Sequence, residues 1–356
     1  MDLAELVSHV IGVDTHKHSH TAVVVDATTG GVVREAQATA STDRDGYETL
    51  FDLADEHSTG GERVWAIECT GSYGAGLTEF LTQRGEWVIE VDRPVTRARR
   101  DGAKSDVLDA VRSAREVLGR GQWSAPRARG EREAMRVLVA TREGAVRDRT
   151  RAINQLKAMI VSAPEVLRDR LRGLTRGGLV NRCAGLRGSA KQAQDCQATV
   201  AALRRLARRI RNLDHEIREH DHDLRVLTNQ HCPQIVVEYG VGHVTAAQAY
   251  MSWSHPGRCR NEAAFASLAG TAPIDASSGQ VVRHRLNRGG DRKLNRVLHT
   301  VIVTRSRGHQ PTQDYIARRV AEGKSEREAR RCLKRYLARH IYRLLENQPQ
   351  QSLDNT

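Results

Sequence analysis

Asp14, Glu68, Asp106 and Asp109 are the residues of this 356-residue chain whose types and spacing point to chemistry. Asp14 ends the apolar run His9-Val10-Ile11-Gly12-Val13, and Glu68 ends Val64-Trp65-Ala66-Ile67. Asp106 and Asp109 stand three apart in Lys104-Ser105-Asp106-Val107-Leu108-Asp109-Ala110, so a helix puts both on one face. Four carboxylates gathered at one sheet edge repel one another. A divalent cation relieves that repulsion, and a hard cation such as magnesium selects oxygen ligands. Two such ions steer phosphoryl chemistry on nucleic acid. Carboxylates also cap helices and end strands, and the chain carries 43 acidic residues, so the joint spacing of the four carries the reading rather than any one of them.

The elements that must position these acids are legible as patterns. Val10–Asp14, Thr21–Val25 and Val32–Ala38 are short runs with β-branched centres, divided by turn residues that include Gly30-Gly31, and they predict three strands in a meander. A helix over Asp45–His57 follows, capped by Thr42 or Asp43. Then come strand Val64–Glu68, helix Gly76–Gln83, strand Trp87–Val91 and helix Ser105–Leu118. This order is the ribonuclease H topology, in which acidic residues on the first and fourth strands and the last helix meet at one edge. The fold class expected for residues 1–118 is therefore α/β, with a mostly helical remainder.

Composition narrows the partners. The formal net charge is +13 with a pI near 9.9, an excess that calls for a polyanion. Aromatic residues make up only 4%, which argues against a binder built on base stacking. The six cysteines, Cys69, Cys183, Cys196, Cys232, Cys259 and Cys332, include no Cys-x-x-Cys pair, so zinc or redox chemistry has little support and reduced thiols fit a cytoplasmic protein. Neither a signal peptide nor a membrane span is expected.

Beyond the first domain, 119–130 reads as a linker and 131–230 as a helical region. Helical patterning runs from Glu131 to about Ile160, and the stretch Thr175–Gly188, with its paired glycines, reads as broken. From Val200 a seven-residue repeat is clear: Leu203, Ile210, Ile217 and Leu224, with Leu206, Leu213, His220 and Leu227 as the companion row. A coiled coil, a helical hairpin and an amphipathic helix packed inside one subunit all fit it, and His220 reads as a register or packing residue. Residues 231–310 form a further domain. There Gly240-Val241-Gly242 before a helix start resembles a helix-hairpin-helix device whose backbone N–H groups grip a phosphate. A helix over Glu262–Ala269 leads to a loop around Ser277-Ser278-Gly279 and then to Arg283, Arg285, Arg288, Arg292, Lys293 and Arg296, suited to phosphate contact. Lys17 and Lys104, beside the acids, either meet phosphate or are simply solvated. Basic helices are expected over 311–346, and 347–356 is a polar tail.

Taken in order, Gly12-Val13-Asp14-Thr15-His16-Lys17, Glu68-Cys69-Thr70-Gly71-Ser72-Tyr73, Lys104-Ser105-Asp106-x-x-Asp109-Ala110, Gly240-Val241-Gly242-His243-Val244-Thr245-Ala246 and Ala269-Gly270-Thr271-Ala272-Pro273 through Ser278-Gly279 resemble the DEDD transposases of bacterial insertion sequences, the one-ten family. His243 departs from the usual proline and Thr271 from the usual leucine; neither removes a catalytic group. The resemblance implies a RuvC-like, ribonuclease-H-like domain binding Mg2+ or Mn2+ through the four acids, and a serine that links covalently to a DNA phosphate. It places that serine immediately before glycine, hence Ser278, although Ser277 adjoins it. It further implies donor and target DNA, a structured bridge RNA that guides site choice, and a homo-dimer or homo-tetramer in which one protomer's acids work with another's serine. A bacterial cytoplasmic protein, nucleoid-associated when on DNA, follows. Two rivals remain: a metal-dependent junction or RNA nuclease using water, and a non-catalytic nucleic-acid-binding protein.

Overall fold

Val10, Ile11 and Val13 are fully buried and Gly12 has no side chain, so β1 (His9–Thr15) is covered on both faces. It lies at the centre of a five-stranded sheet. β1 pairs antiparallel with β2 (Ser19–Asp26) and parallel with β4 (Arg63–Glu68). β2 pairs antiparallel with β3 (Val32–Ser41), and β4 parallel with β5 (Trp87–Val91), giving the order β3-β2-β1-β4-β5. The computed structural model describes residues 2–58, 61–91, 105–189, 192–275, 284–285, 287 and 289–347.

Strand alternation divides the two cores of this sheet. Ile11, Val13, Val24, Trp65 and Ile67 pack against α1 (Arg44–His57) and α2 (Ala75–Gln83) through Leu50, Ala54, Leu77 and Leu81. Val10, Val23, Val25, Val64 and Ile89 pack on the other face against Ala110, Val111, Ala114 and Val117 of α3 (Asp106–Leu118). Asp43 caps α1 by accepting from the Gly46 N–H, and Ser105 caps α3 by accepting from the Leu108 N–H, each satisfying a donor that the first turn leaves open. The part of the expected 119–130 linker within this α/β unit runs beside β5: Ser124 bridges Glu90, Arg127 sits 3.2 Å from Glu90, and Trp123 meets Trp87 edge to face at 5.8 Å.

The chain divides into two compact units, 1–128 and 129–356. The second is helical. Its longest elements are α4 (Glu131–Val161) and the 38-residue α7 (Gln194–His231), with α5 (Glu165–Leu171) and α6 (Arg176–Ala184) between them. Arg142 to Asp221 at 2.6 Å and Arg149 to Asp214 at 2.9 Å show α4 and α7 running antiparallel as a hairpin. The repeat Leu203, Ile210, Ile217 and Leu224 is buried within the single chain, while Leu206, Leu213, His220 and Leu227 are half-buried. His220 faces Glu216 at 3.7 Å.

The stretch 175–188 departs from expectation, because it contains α6 rather than a break. Gly177 and Gly178 fall in the first turn, where Thr175 accepts from the Gly178 N–H, and buried Leu179, Val180 and Cys183 supply the packing that outweighs glycine's poor propensity. After α8 (Pro233–Val236) come α9 (His243–Trp253), α10 (Glu262–Leu268) and a two-stranded ribbon of β6 (Ile274–Asp275) with β7 (His284–Arg285). The cation-dense stretch beyond it leads into a helix, α11 (Arg292–Gly308): Leu294, Leu298, Val301 and Ile302 turn inward at helical spacing, Arg292, Lys293 and Arg296 face out, and Arg305 is held against Glu238 at 2.8 Å. α12 (Gln310–Ala321) and α13 (Glu326–Glu346) complete the unit. Among the described residues no helix is long and apolar enough to cross a membrane.

Gly12 sets how α3 meets the sheet. A Cβ there would stand 2.0 Å from the Ala110 carbonyl oxygen, so α3 lies on β1 at a distance only glycine allows. Replacing it, Gly12→Ala, forces strand and helix apart and is expected to cost about 3 kcal/mol, as overpacking of a tight core does. Thermal denaturation of the full chain checks this; an unchanged Tm would refute the close packing.

Candidate active site

β1 and β4 run parallel and in register, Val13 opposite Ile67, so Asp14 and Glu68 leave the sheet at the same edge. The Thr15 hydroxyl ties the two strand ends by donating to the Glu68 carbonyl at 3.2 Å. Immediately after Glu68 the backbone of Cys69 adopts a left-handed φ of 55°, a conformation that costs a non-glycine residue about 1–3 kcal/mol. The Cys69 carbonyl then accepts from the Ser72 and Gly74 N–H groups, which turns the chain sharply back. Gly74 seats this turn: a Cβ there would lie 2.8 Å from the Glu68 carbonyl oxygen. On the facing side, α3 brings Asp106 and Asp109 in its first turn.

His16 organises two of the acids. Its Nε2 lies 3.2 Å from Asp14 Oδ2 and 3.3 Å from Asp106 Oδ1. Asp14 is nearly buried, with 12% of its side chain exposed, whereas Asp106 is half exposed at 49%, so the group opens to solvent on the α3 side. One ligand atom from each of Asp14, His16 and Asp106 falls within 4.8 Å of the others. Glu68 is held differently: the Ser113 hydroxyl lies 3.1 Å from Glu68 Oε1 and 3.2 Å from the Asp109 carbonyl oxygen. Asp109 is paired with Arg112 at 2.7 Å.

Electrostatics links these groups. Burial pushes the Glu68 carboxyl above its ordinary range; the charges of Asp14, Asp109 and Glu116 push the same way, and the Ser113 hydroxyl pulls back. Glu68 thus resists ionising in the company it keeps, and the charges of Asp14 and Asp109 are part of the cause. The donor set is carboxylate oxygen with one imidazole nitrogen, partly buried and crowded with negative charge, which fits a divalent cation. Asp14, His16 and Asp106 would hold it, with Glu68 and Asp109 beside them.

The sequence reading singled out Asp14, Glu68, Asp106 and Asp109 and missed His16, Ser113 and Arg112 as site residues. His16 was findable, because it stands two residues past Asp14, just beyond the end of β1, where strand alternation carried one step further puts both on one side. Ser113, one turn beyond Asp109, had no comparable signal. Lys17 is exposed in the turn after β1, and its carbonyl accepts from the Thr42 hydroxyl. In the second unit Gly240 has φ 79° and packs on Thr304 of α11, and Gly242 is the N-cap of α9 with open space where a Cβ would stand. Arg285 is exposed on β7 and Arg292 on α11, while Lys293 and Arg296 both pair with Glu143 of α4, at 2.9 and 2.8 Å. Burial would raise the Glu143 carboxyl, but these two cations hold it below its ordinary range. Lys104, Ser277, Ser278, Arg283 and Arg288 lie outside the described residues.

A raised carboxyl pKa gives a signed pH dependence. Between the unfolded value near 4.5 and its higher folded value, Glu68 binds more protons folded than unfolded, so its contribution to stability declines as pH rises through that window. A divalent cation supplies the opposing charge and should restore stability above it. The metal-free Glu68→Gln protein is therefore expected to melt at or above wild type at pH 7, and to gain less from added Mn2+. Scanning calorimetry at pH 5 and 7, with and without Mn2+, reads both effects; a Glu68→Gln protein that is less stable without metal at pH 7 contradicts the account.

A family profile described as a DEDD transposase of the IS110 type matches residues 11–163. A second, described as the transposase IS116/IS110/IS902 family, matches residues 239–317. No curated protein matches the chain. The first match contains Asp14, His16, Glu68, Asp106 and Asp109, and the second spans the ribbon and α11. Matched in order along both compact units, the two profiles support a place for this chain in the IS110 family of insertion-sequence transposases and, with it, transposase activity on DNA.

Proposed function

We propose that this chain is a recombinase that cuts and rejoins DNA strands through a covalent serine link, with a divalent cation held by its N-terminal acids. The observation that carries the reading is the convergence of Asp14 and Asp106 on His16 Nε2, at 3.2 and 3.3 Å, at the edge where Glu68 also ends its strand. The sheet order β3-β2-β1-β4-β5, with acids on β1, β4 and α3, supports a ribonuclease-H-like reading of the first unit.

In this reading Asp14 and Asp106, with His16 between them and Glu68 and Asp109 beside them, would hold Mg2+ or Mn2+, and the ion would supply charge stabilisation at a phosphate under attack by a hydroxyl. Ser278 is the attacking hydroxyl: its oxygen bonds to phosphorus, the bridging oxygen of the cut strand leaves, and the phosphodiester energy is kept in the serine link for rejoining. A serine hydroxyl is a weak nucleophile unless activated, so the serine depends on the acids. Because the link holds one strand end, a homo-oligomer is required to bring two duplexes together, with acids and serine drawn from different protomers. A structured guide RNA chooses the sites by base pairing, which leaves the protein to grip backbone. Lys17, Lys104, Arg283, Arg285, Arg288, Arg292, Lys293 and Arg296 serve that grip, and the scarcity of aromatic residues agrees with it. Lys293 and Arg296, now on Glu143, would exchange that partner for phosphate.

The test is covalent trapping. Purified protein is incubated with end-labelled donor and target DNA, the RNA transcribed beside its gene and Mg2+, then denatured. Label should remain with wild type and Ser277→Ala and fall at least 100-fold in Ser278→Ala and Asp14→Ala. Cleavage without an adduct, undiminished in Ser278→Ala, would instead establish a nuclease that uses water.

A further inference from the structure

α11 and α13 turn a concentrated set of cations toward one cleft. Arg292, Asn295, Arg296 and His299 share a face of α11 at spacings of three, four and seven, and Arg331 and Lys334 face them from α13. The cleft is about 380 Å³, within the range of small-ligand sites, and among the described residues no carboxylate lines it. Its floor is the turn at Gly270, whose φ is 63°, against Gly290; a Cβ on Gly290 would stand 2.4 Å from the Gly270 nitrogen. This is also the base of the ribbon formed by β6 and β7.

Lys334 and Asn295 are the built part of the cleft. Asn295 Nδ2 donates to the Ala269 carbonyl at 2.7 Å, which leaves its Oδ1 to accept from Lys334 Nζ at 3.0 Å. The ammonium is therefore aimed by a neutral amide, and among the described residues no carboxylate lies in ion-pair reach of it. Two of its three donors are left for another partner. A partly buried cation beside a second cation, without a counter-charge, is costly to maintain unless an anion comes to it. Burial and the neighbouring Arg331 both pull the Lys334 pKa down, as expected of a charge that lacks its partner.

We infer that this cleft binds one phosphodiester phosphate of a DNA strand, with Lys334, Arg331 and Arg292 as its ligands and Asn295 as the residue that positions Lys334. The choice of DNA rests on the reading that Ser278, in the connection between β6 and β7, attacks DNA. The phosphate in the cleft would pin the strand at the root of that ribbon. Arg296 can join once it leaves Glu143.

Fluorescence anisotropy of the full chain with a labelled donor duplex, across a salt series, tests this directly. Lys334→Gln with Arg331→Gln should weaken DNA binding about ten-fold and lower the slope of log affinity against log salt by about 1–2. Arg335→Gln, an exposed cation of α13 outside the cleft, should change affinity less than two-fold. Arg292→Gln, on an exposed side chain, repeats the test without disturbing Lys334, and melting curves identify any variant that fails to fold. Binding equal to wild type in both cleft variants overturns the inference. So does a loss confined to a labelled RNA duplex, or a wild-type cleft that takes inorganic phosphate at millimolar level while DNA affinity ignores it. Covalent trapping is scored separately: an absent adduct with weakened binding in the cleft variants would reject the serine mechanism and keep the cleft.

Discussion

Mutual repulsion of carboxylates at the edge of the central sheet is the constraint on which the first unit depends. Asp14 is placed by a strand buried on both faces, Glu68 by the parallel strand beside it, and Asp106 by a helix that lies on β1 only because residue 12 is glycine. Each placement is enforced by packing that has no charge in it. The cost is visible in Glu68, whose carboxyl is pushed toward its neutral form by burial and by its acidic neighbours. His16 between Asp14 and Asp106 occupies the position where positive charge is wanted. Strain is added at Cys69, whose left-handed backbone turns the chain away directly behind Glu68. Charge crowding and backbone strain at one edge, carried by a well-packed sheet, are what a site held ready for a cation requires.

The second unit manages charge differently. Its hairpin spends arginines on internal pairs, Arg142 with Asp221 and Arg149 with Asp214, while the first turns of α11 keep Arg292, Lys293 and Arg296 on the surface above a core of Leu294, Leu298, Val301 and Ile302. Glu143 of α4 reaches across to Lys293 and Arg296, so part of the basic surface is held by an internal counter-charge. Lys334 has no such carboxylate in ion-pair reach among the described residues, which separates the cleft from the rest of the basic face.

Much of the first unit was legible because its signals are local. Short apolar runs, three of them with β-branched centres, marked all five strands, and the choice of Thr42 or Asp43 as cap placed the start of α1, where Asp43 fills the role. The acids were legible as strand ends and as a three-residue spacing. What remained hidden depended on tertiary contact. Ser113 acts on Glu68 only because α3 crosses β4, and nothing in its own neighbourhood says so. The glycine pair at 177 and 178 read as a break because propensity is local, whereas the packing of Leu179, Val180 and Cys183 that overrides it is not. α11 was obscured by charge: six cations between Arg283 and Arg296, three of them in its first turns, masked the inward apolar row at helical spacing. The partnership of Lys334 with Asn295 joins residues 39 apart and has no sequence signature.

The central claim is that the acids of β1, β4 and α3 form a divalent-metal site. Crystals of the full chain soaked in Mn2+ and measured at the manganese edge test it most directly. The account predicts an anomalous peak within coordination distance of Asp14 and Asp106, with His16 either ligating or displaced, and loss of the peak in Asp14→Asn. A soaked crystal without a peak at these residues, or with the same peak in Asp14→Asn, would contradict it.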